Sequence, residues 1–396
     1  MRILIVEDDW TSREMLRVTL ERMGHQVACA ENGSEGWDVY ADDPFPFVIT
    51  DWMMPRLSGL DLCKRIRTER RNAYTYLILL TARTDRQSLL EAFEAGADDF
   101  LSKPFDPAEL LARIRCGERV IQLEEDLANR IHDLAMANER MTRDLQAAAQ
   151  IQESLLPAAL PDVAGCRFAW KLAPCEELAG DILNVLALDN RYVALYLLDV
   201  SGHGVTAALM SVTLSRILSV VPGESLLMTP SESEEGAFDV VPPGEVLARL
   251  NSRFQITDSA TCQYFTIVYG VLDLLEGRFR FAQAGHPPLL RHRAGNKPEF
   301  LEGAGFPIGF VPETIYEEMT VDLAPGDRLF LYSDGIVEAN HPEKGTYGSN
   351  RLLQDTMRLG EQPLGEAVEE IARIPKEWES GSPHDDISIL AVEYLA

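Results

Sequence analysis

The sequence predicts a multidomain chain: an α/β domain on a parallel sheet, a long helix with coiled-coil periodicity, and an α+β domain of sheets flanked by helices. Three observations carry this. From residue 1 to about 105, short apolar runs alternate with helical patterns, which argues a parallel sheet covered on both faces. From Ala108 to Leu155 there is no proline, Gly117 is the only glycine, and apolar residues recur seven apart. After Pro157, strand-like runs with turns are interrupted by amphipathic helices, the mark of an α+β domain. At 396 residues the chain is too long for one ordinary core. The boundaries fall at 1–118, 119–157 and 158–396.

Bulk properties narrow the function. A 46% hydrophobic content with 25% charged residues is that of a globular protein. The net charge of -27 argues against nucleic acid as a direct partner, because a phosphate backbone would be repelled. Cys29, Cys63, Cys116, Cys166, Cys175 and Cys262 are scattered, with no Cys-x-x-Cys pair, the pattern of reduced thiols. The chain opens on a strand-like run from Met1 to Val6 without signal-peptide architecture, and no apolar run reaches the length of a membrane span. A cytoplasmic location with no membrane partner is expected.

In the first domain the apolar runs are 3–6, 27–30, 48–50, 76–80 and 100–101, and a helical pattern over 11–23 closes at Gly24. Functional groups of such sheets gather at the carboxyl ends of the strands. Those ends hold Glu7 and Asp8, then Asp51, Thr81, and Lys103 ahead of Pro104. Any one alone reads as a cap or surface charge. Crowded carboxylates repel unless a cation joins them; Mg²⁺ suits an all-oxygen site, with Lys103 and Thr81 addressing a phosphoryl group.

Through Val6, Glu7, Asp8 and Asp9, then Asp51 to Pro55, Leu80 to Ala82 and Lys103 to Phe105, residues 1–118 resemble the response-regulator receiver domain. The resemblance implies a flavodoxin-like fold, Asp51 as phosphoacceptor, and Mg²⁺ held by Glu7, Asp8, Asp51 and the Met53 carbonyl. Thr81 and Lys103 would contact the acyl phosphate, and Phe100 would be the aromatic switch residue. As a carboxylate nucleophile, Asp51 should be ionised and exposed. A cognate sensor histidine kinase is the implied partner.

A single helix is expected from Asp106 to Pro157. Val120, Leu127, Leu134, Met141, Ala148 and Leu155 form one heptad row, and Glu124, Ile131, Asn138, Leu145 and Gln152 the other. With the first row at d and the second at a, this is a coiled-coil seam weakened by polar residues, suited to a parallel homodimer through 119–157. The alternative is a solvated helix packing on its own domain.

In the last domain, strands are expected at 166–172, 192–200, 265–272, 278–284, 328–332 and 387–392. Helices are expected near 205–221, 243–256, 350–359 and 364–374. Residues 222–242, with acids around Ser231, read as a mobile insertion. Asp181 follows Gly180, Asp199 ends a strand, Asp334 ends another, and Asp385 and Asp386 precede the last. Each alone would usually be a turn residue. Four recurring at strand ends without an adjacent base need cations if they converge, and oxygen-only ligation selects Mg²⁺ or Mn²⁺. Two such ions can activate a bridging water and clamp a phosphoryl group.

The stretches Ala179 to Asp181, Leu198 to Gly204, Ala284 to Pro288, Tyr332 to Ala339 and His384 to Ser388 resemble the metal-dependent serine/threonine phosphatases (PPM), specifically the sporulation-E/sigma-regulator branch. Gln150 to Pro157 resembles the helix entering that domain. The resemblance covers roughly 148–396. It implies a β-sandwich with outer helices and two Mn²⁺ or Mg²⁺ ions bridged by Asp181 and Asp199. The Val200 carbonyl, Asp334 and Asp385 complete the ligands, and Asp386 is a weaker candidate. Asn184 stands where the branch usually has a second acid. His203 and His286 sit in turns, as candidate general acids or structural residues. The implied substrate is a phosphoserine or phosphothreonine on a protein, typically an anti-sigma-factor antagonist, with dephosphorylation controlled from Asp51. The alternative is a catalytically inactive module that binds a partner under receiver control.

Overall fold

The computed structural model describes the chain except residues 70–73, 83–84, 158–159, 162, 164, 222–224, 232–237, 256–263, 380–383 and 396. The chain divides into two compact units, Met1–Arg140 and Met141–Ala396.

The first unit alternates β1 (Arg2–Val6), α1 (Trp10–Arg22), β2 (Gln26–Ala30), α2 (Gly33–Asp42), β3 (Phe47–Asp51), α3 (Gly59–Thr68), β4 (Tyr76–Thr81), α4 (Arg86–Glu94) and β5 (Asp99–Ser102), and takes in α5 (Pro107–Glu153) as far as Arg140. The sheet order is β2-β1-β3-β4-β5, every pair parallel. Strand alternation makes the two faces. Ile3 and Ile5 join Leu16, Leu20, Leu110 and Ile114 under α1 and α5, whereas Leu4 and Val6 join Tyr40, Leu62 and Ile66 under α2 and α3. Helix starts are set locally: Asp9 accepts the Ser12 N–H at 2.7 Å and Asp85 the Ser88 N–H at 3.0 Å.

α5 runs without a break to Glu153, four residues short of the expected Pro157. Its first turns belong to the core of the first unit, with Leu110, Ile114 and Ile121 buried and Val120 packed beside them. Residues 122–141 are exposed throughout, including Leu127, Ile131, Leu134 and Met141.

The second unit contains β6 (Cys166–Ala173), β7 (Ile182–Ala187), β8 (Tyr192–Val200), α6 (Val205–Ile217), β9 (Met228–Pro230), β10 (Phe238–Val240), α7 (Pro243–Arg253), β11 (Phe265–Asp273), β12 (Arg278–Ala284), β13 (Leu289–His292), β14 (Glu299–Leu301), β15 (Met319–Asp322), β16 (Arg328–Tyr332), α8 (Asp334–Val337), β17 (Asn340–His341), β18 (Gly345–Thr346), α9 (Gly348–Leu359), α10 (Leu364–Trp378) and β19 (Ile387–Tyr394). Two antiparallel five-stranded sheets, β15-β12-β11-β8-β7 and β14-β13-β16-β19-β6, share one core. Leu329, Leu331, Leu390 and Val392 of the second sheet meet residues of β8 and β11 in it. Val246, Leu247 and Leu250 of α7, with Leu214 of α6, extend that core, while α8, α9 and α10 cover the outer face of the second sheet through Ile336, Leu352, Val368 and Ile371.

The expected mobile insertion is corrected in part. β9 and β10 pair antiparallel, and Leu227 and Val241 beside them are fully buried, so these flanks are packed; residues 222–224 and 232–237 lie outside the described residues. The expected helix over 205–221 ends at Ile217. Cys29, Cys63, Cys116, Cys166 and Cys175 are free thiols, and Cys262 lies outside the described residues. No described helix is long and apolar enough to cross a membrane.

Candidate functional site

Parallel pairing in the first unit puts all strand carboxyl ends on one edge, and the expected group assembles there. One carboxylate oxygen each from Glu7, Asp8 and Asp51 lie within 4.8 Å of one another. Lys103, ahead of the cis bond to Pro104, donates to Glu7 Oε2 at 2.6 Å and stands 3.2 Å from Asp51 Oδ1. Asp51 also accepts the Trp52 N–H at 2.8 Å. Burial raises Glu7 and Asp51 above their ordinary values, Lys103 only partly countering it. Burial pulls Lys103 down, yet its bond to Glu7 and the Asp51 charge outweigh that and hold it above its ordinary value.

Asp51 is corrected in one respect: expected exposed, it is only 8% exposed. Asp8 is exposed, Thr81 buried, and the Met53 side chain exposed. Phe100 is half-buried, edge-on to Phe93 with centroids 6.0 Å apart. Gly59 is required by close approach, since a Cβ there would meet the Asp51 carbonyl oxygen at 1.9 Å.

The second group forms by antiparallel pairing, where the end of one strand meets the start of its neighbour. Ile182 opens β7 opposite Leu198 of β8, which brings Asp181 beside Asp199. Tyr332 closes β16 opposite Ile389 of β19, and the Ser333 N–H donates to Ser388 O at 3.0 Å, so Asp334 meets Asp385 and Asp386. Each sheet thus supplies one acidic pair. Asp386 ties the pairs together: its carboxylate accepts the N–H of Gly180 at 2.7 Å, of Cys175 at 2.8 Å and of Asp181 at 3.3 Å. Gly335 makes the approach possible, because a Cβ there would stand 2.1 Å from the Asp386 carbonyl oxygen.

The electrostatics record the convergence. Asp199 is pushed up to about 7 by burial and then by the charges of Asp334, Asp385 and Asp386. Asp334 is pushed up to about 6 by burial, then by Asp385. Asp181, nearly fully buried, is raised well above the carboxylate range by burial and then by Asp199, and its Oδ2 has no hydrogen-bond partner. Burial raises Asp385 too, with His203 a partial counter-charge. A buried carboxylate oxygen without a donor, facing other acids, fits a divalent cation. The ligand oxygens are looser here than in the first group: among the described residues, only Glu7, Asp8 and Asp51 bring three ligating atoms within 4.8 Å.

The remaining residues fall out differently. Asp386 is buried and spent on backbone donors, and the more exposed Asp385 accepts the Asp386 N–H at 2.8 Å. Asn184 lies inside β7 opposite Tyr196, its Oδ1 accepting the Val185 N–H. His203 is exposed with Nδ1 2.9 Å from Glu176. His286 is buried, its Nδ1 2.8 Å from Thr266 Oγ1, and burial pushes it down to about 3, which favours the neutral imidazole.

Sequence reasoning missed one residue outright. Gln152, assigned to the helix seam, is buried inside the second unit: Nε2 donates to Ala179 O at 2.6 Å and Ser211 Oγ at 3.0 Å, and Oε1 accepts the Ala179 N–H at 3.0 Å. The last turn of α5 therefore grips the backbone two residues before Asp181. A polar residue interrupting an apolar row was the available signal.

Comparison with known proteins agrees with both halves. The family described as Stage II sporulation protein E (SpoIIE) matches residues 189–395, just over half of the chain and inclusive of Asp199, Asp334 and Asp385. The response regulator receiver domain matches residues 3–115. Response regulator MprA of Mycobacterium avium (strain 104) is 41% identical over 126 residues, 32% of this chain and 54% of that protein. Protein IcfG of Synechocystis sp. (strain ATCC 27184 / PCC 6803 / Kazusa) is 25% identical over 222 residues, 53% of this chain and 35% of that protein. The chain thus spans about half or less of the length of these curated relatives. The solved SiaA-PP2C domain of Pseudomonas aeruginosa shares the fold, with a TM-score of 0.54 at 24% identity over 66% of this chain and 99% of that one.

Proposed function

This chain belongs to the Stage II sporulation protein E family and carries a response-regulator receiver domain ahead of it, and from that premise we propose a two-component response regulator whose output is protein dephosphorylation. The substrate is phosphoserine or phosphothreonine on a regulatory protein, in the family's manner an anti-sigma-factor antagonist. The phosphodonor is a sensor histidine kinase acting at Asp51. The observation that carries the reading is the buried, unpartnered Asp181 Oδ2 among Asp199, Asp334 and Asp385.

Asp181, Asp199, Asp334, Asp385 and the Val200 carbonyl would hold two Mn²⁺ or Mg²⁺ ions, which when bound supply an activated water and neutralise the phosphoryl group. The chain's own work is positioning. Asp386 fixes the Cys175–Asp181 backbone, Gln152 fixes Ala179, and neutral His286 holds Thr266, which stands opposite Asp199. In the receiver, Glu7, Asp8, Asp51 and the Met53 carbonyl would hold Mg²⁺, and Thr81 and Lys103 would bind the acyl phosphate, with Phe100 responding. Phosphorylation replaces the single charge of the Asp51 carboxylate by an acyl phosphate of about −2, a net gain of about one negative charge beside Lys103.

α5 supports transmission. Residues 122–141 expose Leu127, Ile131, Leu134 and Met141 along one heptad stripe, apolar area left in water. A second copy would cover that stripe as a parallel coiled coil, with polar Asn138 keeping the seam weak enough to rearrange. A change of α5 reaches Asp181 through Gln152.

The test is manganese-dependent phosphate release from a phosphoserine protein by the full chain and by Asp199→Asn. Metal-dependent release by the wild type and its loss in the variant are expected. No turnover with any divalent metal, or equal rates in both, overturns the reading.

A further inference from the structure

Beside Asp199 the strand ladder runs on into an exposed aromatic pair. β11 sets Thr266 opposite Asp199 and Phe265 opposite Val200. One step further, the Ser201 N–H donates to Tyr264 O at 2.9 Å and the Tyr264 N–H donates to Ser201 Oγ at 3.1 Å. Directly opposed residues share a face, as do residues two apart. Tyr264 therefore stands on the Asp199 face of the ladder. Its ring meets Phe310 edge-on, centroids 5.9 Å apart, and Tyr264 is 37% and Phe310 58% exposed.

The loop presenting Phe310 is held stiffly. Phe265 and Ile308 exchange backbone hydrogen bonds, and the Gly285 N–H donates to Gly305 O at 2.8 Å. Buried Asn251 accepts the Gly309 N–H at 2.8 Å and donates to Val311 O at 2.9 Å. Residues 303–312 contain no charged side chain, in a chain where a quarter of the residues are charged. Phe306, four residues before Phe310, is likewise exposed. Solvent-exposed rings add nothing to the core, whereas rings on a pinned backbone bind at low entropic cost.

We propose that Tyr264 and Phe310, with Phe306 in the same loop, form a docking platform for apolar side chains flanking the phosphorylated residue of the protein substrate. This rests on the phosphatase reading and narrows its substrate class to phosphoserine or phosphothreonine set among apolar neighbours. Docking of a second copy here, unlike pairing along α5, would set one acidic chain against the converging acids around Asp199. A substrate segment lying on the rings places its next residue at Asp199.

The test uses the full chain with Mn²⁺, two phosphoserine peptides of equal length and charge, one with leucine and one with glycine on both sides, and para-nitrophenyl phosphate. Wild type should favour the leucine peptide in kcat/KM by roughly tenfold or more, the scale of aromatic anchors. Tyr264→Ala and Phe310→Ala should cut that preference to about twofold or less at unchanged para-nitrophenyl phosphate hydrolysis, and Tyr264→Phe should retain it. Fluorescence anisotropy of the labelled peptides reads binding without turnover. Tighter binding of the leucine peptide to wild type than to the alanine variants, with no hydrolysis, would uphold the platform and sink the phosphatase reading. Hydrolysis with neither a leucine preference nor a change on substitution overturns the platform alone. Parallel loss of para-nitrophenyl phosphate hydrolysis also overturns it, as a structural effect.

Discussion

The two carboxylate sites solve the same repulsion differently. In the receiver, Lys103 stands 2.6 Å from Glu7 and 3.2 Å from Asp51, so a cation is built into the chain. In the phosphatase domain, two acidic pairs converge from two sheets, and His203 is a partial counter-charge to Asp385. A site with its own cation tolerates the gain and loss of one phosphoryl charge, which suits a switch. A site whose converging acids are only partly countered fits external cations, which suits a catalytic metal centre.

The comparison breaks most readily at the metals. Chelation with EDTA should lower phosphate release at least about a thousandfold, since roughly 4 kcal/mol of barrier stabilisation is withdrawn, and Mn²⁺ should restore it. Turnover that survives chelation would remove the distinction between the sites. Next comes Lys103→Ala, which leaves buried Glu7 facing Asp51 unpaired. Denaturant unfolding without Mg²⁺ should show a loss of about 3 kcal/mol confined to the receiver transition, and added Mg²⁺ should recover part of it. Gln152→Ala removes three hydrogen bonds and strands the Ala179 backbone groups, costing about 2 kcal/mol in the phosphatase transition. Because Asp181 lies two residues on, apparent Mn²⁺ affinity should fall as well.

The smallest effect is that of pH on the metal-free protein. Asp199 near 7 and Asp334 near 6 are raised above their unfolded values, so between those limits the folded state binds more protons than the unfolded state. Stability of the metal-free phosphatase domain should therefore rise as pH falls from 8 through 7 and 6. Saturating Mn²⁺ should abolish that rise, and a melting temperature flat with pH without metal would contradict the convergence of the acids.

How much of this the sequence disclosed follows from topology. A parallel sheet aligns every strand carboxyl end, so reading off those ends was enough to find Glu7, Asp8, Asp51 and Lys103 as neighbours. Asp181, Asp199, Asp334 and Asp385 were legible as strand-end acids, but their grouping into pairs needed the register of β7 with β8 and β16 with β19. β7 was not foreseen, because polar Asn184 interrupts a six-residue run, nor were the four residues or fewer of β13, β14 and β15. Gln152 was misjudged because its backbone partner Ala179 lies 27 residues away in sequence, and no local period reports such a contact; Asp386, expected as the weaker ligand of its pair, is held by backbone donors 205 or more residues away. The hairpin of β9 and β10 was hidden by acidic neighbours, its anchors being the single residues Leu227 and Val241.

The central claim is that charge at Asp51 governs the acids around Asp199. It is tested most directly by metal-dependent phosphate release from a phosphoserine protein, with and without an acyl-phosphate donor, for wild type and Asp51→Ala. The account predicts that the donor changes the wild-type rate and leaves the variant's rate unchanged. Equal rates in all four conditions would contradict it.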